Sequence, residues 1–355
     1  MGNNGRVFYY RTQEIDVNFK VEVVETRYFI NAEGCKLSEQ EKNKYRINAV
    51  SYSDHLKALV LYLNHTGGIA LERLSRMLNE MSESRLNLKE STIVNWNKRL
   101  ADNSAKETEK ILNEILGSKI VGVDETGWRI NGNNAWLHTL TTADNAYYLV
   151  SNKRSDREKG TQALLKDYQG ILEHDHFKPY LALECRHAEC NAHIMRYLKA
   201  GREFDENIEC GKMIQLLQEL YHLKKEAIGQ GKLAFEKERI DEWEKEYLNI
   251  AHSALDKYRL DNPNIARKYI PDYIKVFERM IEYHNEHLLF IKDFSVPFDN
   301  NDAERQIRVA KSKKKVSGQS YSLETANYYA IFLTISQTCR KQHINTLKKI
   351  EKLLG

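Results

Sequence analysis

The chain has 355 residues, roughly two to three times the usual domain size, so we expect two or three domains with at least one well-buried core. Its 54 lysines and arginines nearly balance 50 aspartates and glutamates, and the net charge is only +4. The net charge therefore does not indicate nucleic-acid binding, which only local clusters of basic residues could indicate. No apolar run approaches the roughly 18–20 residues of a membrane span, and the N-terminus lacks the apolar segment of an export signal, so we expect neither a membrane protein nor a secreted one.

Residues 1–50 are predicted to form a small, poorly defined module. The segment FKVEVVETRYFI alternates like a β-strand, and the polar segment NAEGCKLSEQEKNKY after it is predicted to be a loop that contains Cys35. The chain has five cysteines and no Cys-x-x-Cys pair, which indicates reduced thiols rather than disulfides. The expected compartment is therefore the cytoplasm.

The apolar residues of region 51–115 repeat with helical spacing, which predicts three helices. The third has three apolar residues on its inner face: Ile93, Trp96 and Leu100. Its outer face carries three polar residues that could contact base edges: Asn95, Lys98 and Arg99. Helices joined by a short turn, with exposed basic residues, are typical of a helix-turn-helix DNA reader, but a plain helical bundle fits the same pattern equally well.

Three short strands are predicted after residue 118, in the segments KIVGVDETGWRI, NAWLHTLTT and AYYLVSN. The polar turns between them favour a consecutive antiparallel arrangement. A helix over about 156–168 leads to a fourth strand, GILEHDHFKPY, which a crossover would place beside the first strand. With a further helix in HAECNAHIMRYLKAG, this is the order of elements in a ribonuclease H-like fold.

A long, charged helical stretch follows over about 202–287, and the segment VPFDNNDAERQIRVAKSKKK leads to the C-terminal helices. The predicted fold class is therefore α+β. It has a helical N-terminal region at 51–115, a ribonuclease H-like core formed by 116–200 and 291–345, and a helical insertion at 201–290 within that core.

Two carboxylates are predicted to meet in this core. Asp124 lies on the first strand and Asp175 near the end of the fourth, and these strands are expected to be neighbours. Burying two ionised carboxylates side by side is costly unless a cation compensates. Acidic oxygen ligands suit Mg²⁺, which keeps bound waters and binds phosphate oxygens.

A third acidic ligand is predicted in FDNNDAERQIRVAKSKKK. Asn300 or Asn301 would begin a helix and place Glu304 in its first turns, where the positive end of the helix faces the metal. Four residues of this helix share one face by their spacing: Glu304, Arg308, Lys311 and Lys315. These cations and Arg305 are candidate contacts to a phosphate backbone, so the pattern favours a phosphodiester-cleaving site.

The chain resembles a transposase of the insertion sequence 66 family, a bacterial DDE-type group. The resemblance rests on VGVDETGWRINGNNAWLH, HDHFKPY, HAECNAH, VPFDNNDAERQIR and SGQSYSLETANYYAIFLTISQTCRKQ, which together span roughly 50–345. It implies catalytic roles for Asp124, Asp175 and Glu304. Relatives usually carry a cysteine-rich zinc module near the N-terminus, where this chain has only Cys35, which argues against zinc there.

The expected function is that of a metal-dependent DNA transposase. Two Mg²⁺ or Mn²⁺ ions held by Asp124, Asp175 and Glu304, with Asp124 bridging them, would activate water to nick a transposon end, and the freed 3′-hydroxyl would attack target DNA. The expected partners are the transposon ends and target DNA, further copies of this chain bound to that DNA, and accessory proteins of the same element. A decayed copy that only binds DNA and a related nuclease that cuts without joining are the alternatives.

Some residue assignments remain open from the sequence. Glu173, His174 and His176 could replace Asp175 as ligands or lie in a solvated loop, while Asp299 and Asp302 compete with Glu304 or only cap its helix. Cys190 and His193, one helical turn apart, could join a metal site or be ordinary packing residues. Trp128 could stack on a DNA base or fill the core with equal weight.

Overall fold

The computed structural model describes residues 21–24 and 50–355. Residues 21–24 carry no regular secondary structure, so the strand predicted in FKVEVVETRYFI is not present there. The remainder of that strand, and Cys35, lie outside the described residues. Within the described residues, no helix combines the length and the apolar character that crossing a membrane requires.

In the part of the chain that the structure describes, four helices precede the sheet: α1 Asp54–His65, α2 Leu71–Met81, α3 Glu90–Asn103 and α4 Ala105–Leu116. The three predicted helices are confirmed, and α4 is an additional one. The predicted inner face of α3 is buried, since Ile93, Trp96 and Leu100 join one apolar cluster with residues of α1 and α2. The same cluster includes Val121 of the sheet and Phe332 near the C-terminus, so these helices share a core with the α/β part of the chain.

The sheet of the described chain has five strands: β1 Ile120–Ile130, β2 Asn133–Thr141, β3 Ala146–Ser151, β4 Ile171–His174 and β5 Arg186–Glu189. Their spatial order is β3-β2-β1-β4-β5. Strand β1 is antiparallel to β2 and parallel to β4, as the sequence predicts, and β4 is parallel to β5. The sequence pattern does not predict β5, because its four residues directly precede a strong helical pattern and merge with it.

The helix predicted over 156–168 is much shorter in the structure, where α5 spans only Thr161–Leu165. The reason is local, because the Asp156 carboxylate accepts hydrogen bonds from the backbone N–H groups of Glu158 and Lys159 and holds this segment in a turn. The crossover still returns the chain beside β1.

The long charged stretch is a set of separate helices: α6 Asn191–Phe204, α7 Ile208–Gly229, α8 Lys237–Asp261, α9 Asp272–Glu282, α10 His284–His287 and α11 Leu289–Lys292. Helices α6 to α9 pack around a second apolar cluster, which contains Leu217, Tyr247 and Phe277 and also includes Ile171 and Ala188 of the sheet. Leu216, Leu217 and Leu220 of α7 are buried there.

The chain ends in α12 Asn301–Ser317, α13 Leu323–Lys341 and α14 Thr346–Leu354. Helix α12 packs on β1 and β2, and α13 packs on β3 and α3. Two threonines of α13 hydrogen-bond the backbone of β3: the Thr334 hydroxyl accepts from the Tyr148 N–H at 3.0 Å, and the Thr338 hydroxyl donates to the Ala146 carbonyl at 3.1 Å. The observed fold is therefore a mixed α+β structure in which α12 covers one face of the sheet.

Candidate active site

Alternate residues of β1 point to opposite faces of the sheet, and Asp124 lies on the face covered by α12. Gly122, on the same face, allows the close approach of this helix, because a Cβ atom at Gly122 would lie 2.7 Å from Asn300 Oδ1. The Asn300 side chain donates to the Val123 carbonyl at 2.7 Å, and Lys314 Nζ donates to the Gly127 carbonyl at 2.7 Å. Both ends of α12 are thus fixed to β1 around Asp124.

The structure brings Asp175 beside Asp124. The β1–β4 pairing ends with Gly122 opposite Glu173, two residues before Asp124 and Asp175 respectively, and the charge of Asp175 acts on the pKa of Asp124. The chain then turns at His176, whose φ of 66° is unusual for a residue other than glycine. The first two predicted carboxylates are therefore close enough for their charges to interact.

Asp124 is a buried carboxylate in an acidic environment. Burial, together with the charges of Glu125 and Asp175, raises the pKa of Asp124 from 3.8 to about 7, although the hydrogen bond from the Glu125 N–H and the charge of Lys311 act in the opposite direction. Carboxylate oxygens are the donors that Mg²⁺ prefers, and a divalent cation would relieve this repulsion. The donor set therefore fits the ion that the sequence predicts.

Glu304 lies in the first turn of α12 and is partly buried. Its carboxylate is 3.4 Å from an Arg196 guanidinium nitrogen and 3.6 Å from one of Arg308. His193 lies close to it, with Nδ1 3.6 Å from Glu304 Oε1, and the charges of both Glu304 and Asp175 act on the pKa of His193. The three predicted acidic residues thus lie on one side of the sheet, with His193 near two of them.

The acidic residues that compete with Glu304 make other contacts. Asp299 accepts a hydrogen bond from the Asn301 N–H at the start of α12, and Asp302 is held by the Thr141 hydroxyl at 2.8 Å and by Lys341 Nζ at 2.6 Å. Asn300 is the N-cap residue, as expected, but its side chain bonds β1 and makes no capping hydrogen bond.

The three residues around Asp175 are not in a solvated loop. Glu173 is buried, and burial together with the charges of Asp299 and Asp302 raises its pKa well above the usual value. His174 Nε2 is 3.1 Å from His187 Nδ1, and His176 Nδ1 is 2.8 Å from a Glu189 carboxylate oxygen. Each of the two histidines therefore has a partner within the protein.

Cys190 and His193 lie beside Glu304. Cys190 immediately precedes α6, and His193 is in its first turn. The sulfur, one ring nitrogen and one carboxylate oxygen of these three residues all lie within 4.8 Å of one another. Burial raises the pKa of the Cys190 thiol to about 12, so the free side chain is a neutral thiol and a poor nucleophile.

Glu125 is a site residue that sequence reasoning missed. It is next to Asp124 but points to the opposite face, where its carboxylate accepts from Arg154 Nε at 2.7 Å and from the Tyr180 hydroxyl at 2.9 Å. Burial outweighs these partners and raises the pKa of Glu125. The signal was available in the sequence, because adjacent strand residues face opposite ways and only one carboxylate of an Asp-Glu pair can join Asp175.

The basic face of α12 is partly as predicted. Arg308, Lys311 and Lys315 are exposed, and exposed Arg305 is 3.4 Å from Asp302. Lys313 and Lys314, which lie between Lys311 and Lys315 in the chain, hydrogen-bond within the protein. Lys313 donates to the Asn64 carbonyl at 2.6 Å, and Lys314 donates to the Gly127 carbonyl.

Trp128 fills the core and is not available to a DNA base. Its side chain is 4% exposed, stacks on Tyr329 at a centroid distance of 5.7 Å and donates from Nε1 to the Ser320 hydroxyl at 3.0 Å. A ring held between β1 and α13 has no free face on which a base could stack, so its assignment as a DNA contact is corrected. Asn95, Lys98 and Arg99, in contrast, are exposed on α3.

Comparison with known proteins agrees with the motifs. Among models of protein families, the one described as the IS66 family of transposases matches residues 49–328, more than half of the chain. A search of curated proteins finds no match.

Proposed function

The chain belongs to the IS66 family of transposases, and from this membership we propose that it is a DNA transposase whose reaction centre is formed by Asp124, Asp175 and Glu304. The observation that carries the proposal is the parallel pairing of β1 with β4, under the helix that bears Glu304, together with the action of the Asp175 charge on Asp124. We further propose that the sheet is ribonuclease H-like. Three antiparallel strands, a crossover and two parallel strands, in the order β3-β2-β1-β4-β5, support this assignment.

Asp124, Asp175 and Glu304 would hold two Mg²⁺ ions, or Mn²⁺ in their place. When bound, these ions would supply Lewis-acid polarisation of the scissile phosphate and a more acidic attacking water. The elevated pKa of Asp124 supports this role, because the like charges around it favour a bound cation.

The other residues of the chain position these groups. Asn300 and Lys314 hold α12 along β1, and Glu125 ties the Arg154 segment and Tyr180 to the opposite face. The exposed cations of α12, Arg305, Arg308, Lys311 and Lys315, would bind DNA phosphates next to the carboxylates. Water attack would nick the transposon end, and the freed 3′-hydroxyl would then attack target DNA without a covalent enzyme intermediate.

We assign recognition of the element's ends to the region 51–115, with Asn95, Lys98 and Arg99 of α3 meeting base edges. Their exposure opposite the buried face of α3 supports this role. The insertion 201–290 would enlarge the core formed by 116–200 and 291–345. The proposed setting is the cytoplasm, with several copies of the chain assembled on transposon and target DNA, together with accessory proteins of the element.

The test is a cleavage and joining assay on DNA that carries the element's own ends, with Mg²⁺ or Mn²⁺. We expect nicked and joined products from the native chain. Asp124→Asn keeps the shape of the side chain but removes its charge, so cleavage should fall at least about 100-fold while DNA binding is retained. Asp167→Asn, at an exposed turn, is the matched control and should cleave normally.

The products also separate the alternatives. Cleavage without joined product would identify a nuclease, and DNA binding without metal-dependent cleavage would identify a non-catalytic binding protein. Unreduced cleavage by Asp124→Asn would remove Asp124 from the reaction centre.

A further inference from the structure

Cys190, His193 and Glu304 form a cluster of mixed donors beside the proposed reaction centre. Of these three residues, only Glu304 takes part in the proposed DNA chemistry. The Cys190 thiol and the His193 imidazole have no role in it. Nevertheless one sulfur, one nitrogen and one oxygen ligand atom lie within 4.8 Å of one another, close enough to be bridged by a single ion.

The donors of this cluster are only weakly engaged within the protein. His193 Nδ1 is buried without a hydrogen-bond partner and lies 3.6 Å from Glu304 Oε1, too far for a hydrogen bond. The two arginines near Glu304 are more than half exposed, at side-chain accessibilities of 61% and 68%, and such ion pairs contribute little. Binding an ion would therefore displace few strong contacts and would satisfy the orphan nitrogen.

The backbone around the cluster is fixed on both sides. Cys190 and His193 have the Cys-x-x-His spacing at the start of α6, and Glu304 comes from the start of α12. The two helix starts are tied together, because the Asn300 N–H donates to Cys190 Sγ at 3.2 Å and the Asn191 N–H to the Phe298 carbonyl at 3.3 Å. Held ligands of this kind bind a metal with little loss of chain entropy.

The chemistry of the donors selects the ion. Thiolate and imidazole ligands suit Zn²⁺ and related borderline-soft cations, whereas Mg²⁺ prefers oxygen ligands alone. We propose that Cys190, His193 and Glu304 bind a zinc-class divalent cation, and that occupancy of this site withdraws Glu304 from the Mg²⁺ ligands. Three protein ligands leave one tetrahedral position for water. The second half of the proposal rests on the proposed function of Glu304, and the first half does not.

The binding site is tested with Co²⁺ as an optical probe, on the full-length, metal-free, reduced protein. We expect a thiolate-to-cobalt charge-transfer band together with the visible bands of tetrahedral cobalt, both abolished by an equivalent of Zn²⁺. Cys190→Ser should remove the charge-transfer band. His193→Gln and Glu304→Gln, at partly exposed positions, should each weaken Co²⁺ binding at least tenfold.

Two other cysteines serve as controls. Cys185 has its own nearby histidine, with Sγ 4.0 Å from His187 Nε2, and Cys210 is buried in the helical insertion. Cys185→Ser and Cys210→Ser should both keep the full signal. The site is disproved if the native chain gives no charge-transfer band, or if the band survives both His193→Gln and Glu304→Gln. These two variants decide the matter even if Cys190→Ser does not fold.

Sharing of Glu304 is tested separately by adding Zn²⁺ to the Mg²⁺-dependent cleavage assay. Cleavage by the native chain should fall at least tenfold when Zn²⁺ is added at the concentration that saturates the cobalt site. His193→Gln should lose this response, as judged by the ratio of its own rates with and without Zn²⁺. Saturated zinc binding without inhibition would refute the sharing of Glu304. Absence of cleavage under every condition would refute the proposed function while leaving the cobalt result intact.

Discussion

Asp124 and Glu125 are neighbours in the chain and burial raises the pKa of both, yet the two faces of the sheet give their carboxylates different partners. Glu125 receives hydrogen bonds from Arg154 and Tyr180, so the protein supplies its own counter-charge. Asp124 receives one backbone hydrogen bond and faces Asp175, and its pKa rises to about 7. Removing a carboxylate that has internal partners leaves those partners unpaired and costs stability, whereas a carboxylate placed near another carboxylate favours a bound cation.

The contrast between the two faces of the sheet is tested first by removing the Glu125 carboxylate. Glu125→Ala leaves the Arg154 and Tyr180 groups without their acceptor, and we expect the free energy of unfolding to fall by about 2–3 kcal/mol, less than for a fully buried pair because Arg154 is half exposed. Glu125→Gln should cost less, because its amide oxygen can still accept one hydrogen bond. Urea denaturation measures both.

Glu158→Ala, at an exposed turn, is the control for this series and should change stability by less than about 0.5 kcal/mol. If Glu125→Ala proved as stable as the native chain, the network on this face would not contribute to the fold, and the contrast with Asp124 would disappear.

Asp124→Asn should raise the free energy of unfolding of the metal-free protein, whereas Glu125→Ala should lower it. The folded pKa of Asp124, about 7, lies above the ordinary value of 3.8, so the folded state binds more protons than the unfolded state between these values. The contribution of Asp124 to stability is therefore lost as pH rises from about 4 to about 7. Asn removes this penalty.

Asp124→Asn should accordingly raise the free energy of unfolding on the order of 1–2 kcal/mol at pH 8 and very little at pH 4. Mg²⁺ should stabilise the native chain more than the variant. Melting curves at both pH values, with and without Mg²⁺, measure this difference. A variant less stable than the native chain at pH 8 would mean that Asp124 is compensated within the protein, as Glu125 is.

The contrast between the two faces also marks what the sequence could predict. The position of Asp124 beside Asp175 followed from the order of the strands alone, because a crossover places β4 next to β1 and the period of two fixes the face. The same period shows that Glu125 faces away from Asp124, but no local pattern indicates its two distant partners, Arg154 and Tyr180.

The same reasoning explains the other differences. Trp128 lies in a strand where either face could have been covered, and only the packing of α13 decides that its ring is buried. The short strand β5 has four residues, too few for a period to stand out before the helix that begins at Asn191. In the run KSKKK, spacing distinguished the faces of α12, but the carbonyl partners of Lys313 and Lys314 come from elsewhere in the fold.

On the Asp124 face of the sheet, the exposed cations of α12 should bind DNA rather than stabilise the fold. Lys311 and Lys315 are exposed, while Lys313 and Lys314 donate to backbone carbonyls. Lys311→Gln with Lys315→Gln should weaken binding to any duplex about equally and reduce the slope of log affinity against log salt by about 2, roughly one for each phosphate that a lysine no longer neutralises. Stability should be unchanged.

The matched control, Lys245→Gln with Lys257→Gln on the exposed surface of α8, removes the same charge and should leave the slope as it was. An equal reduction in both pairs would mean that DNA responds only to net charge, and a slope unaffected by the α12 pair would place the phosphate backbone on another surface, because counterion release depends on the cations that touch it.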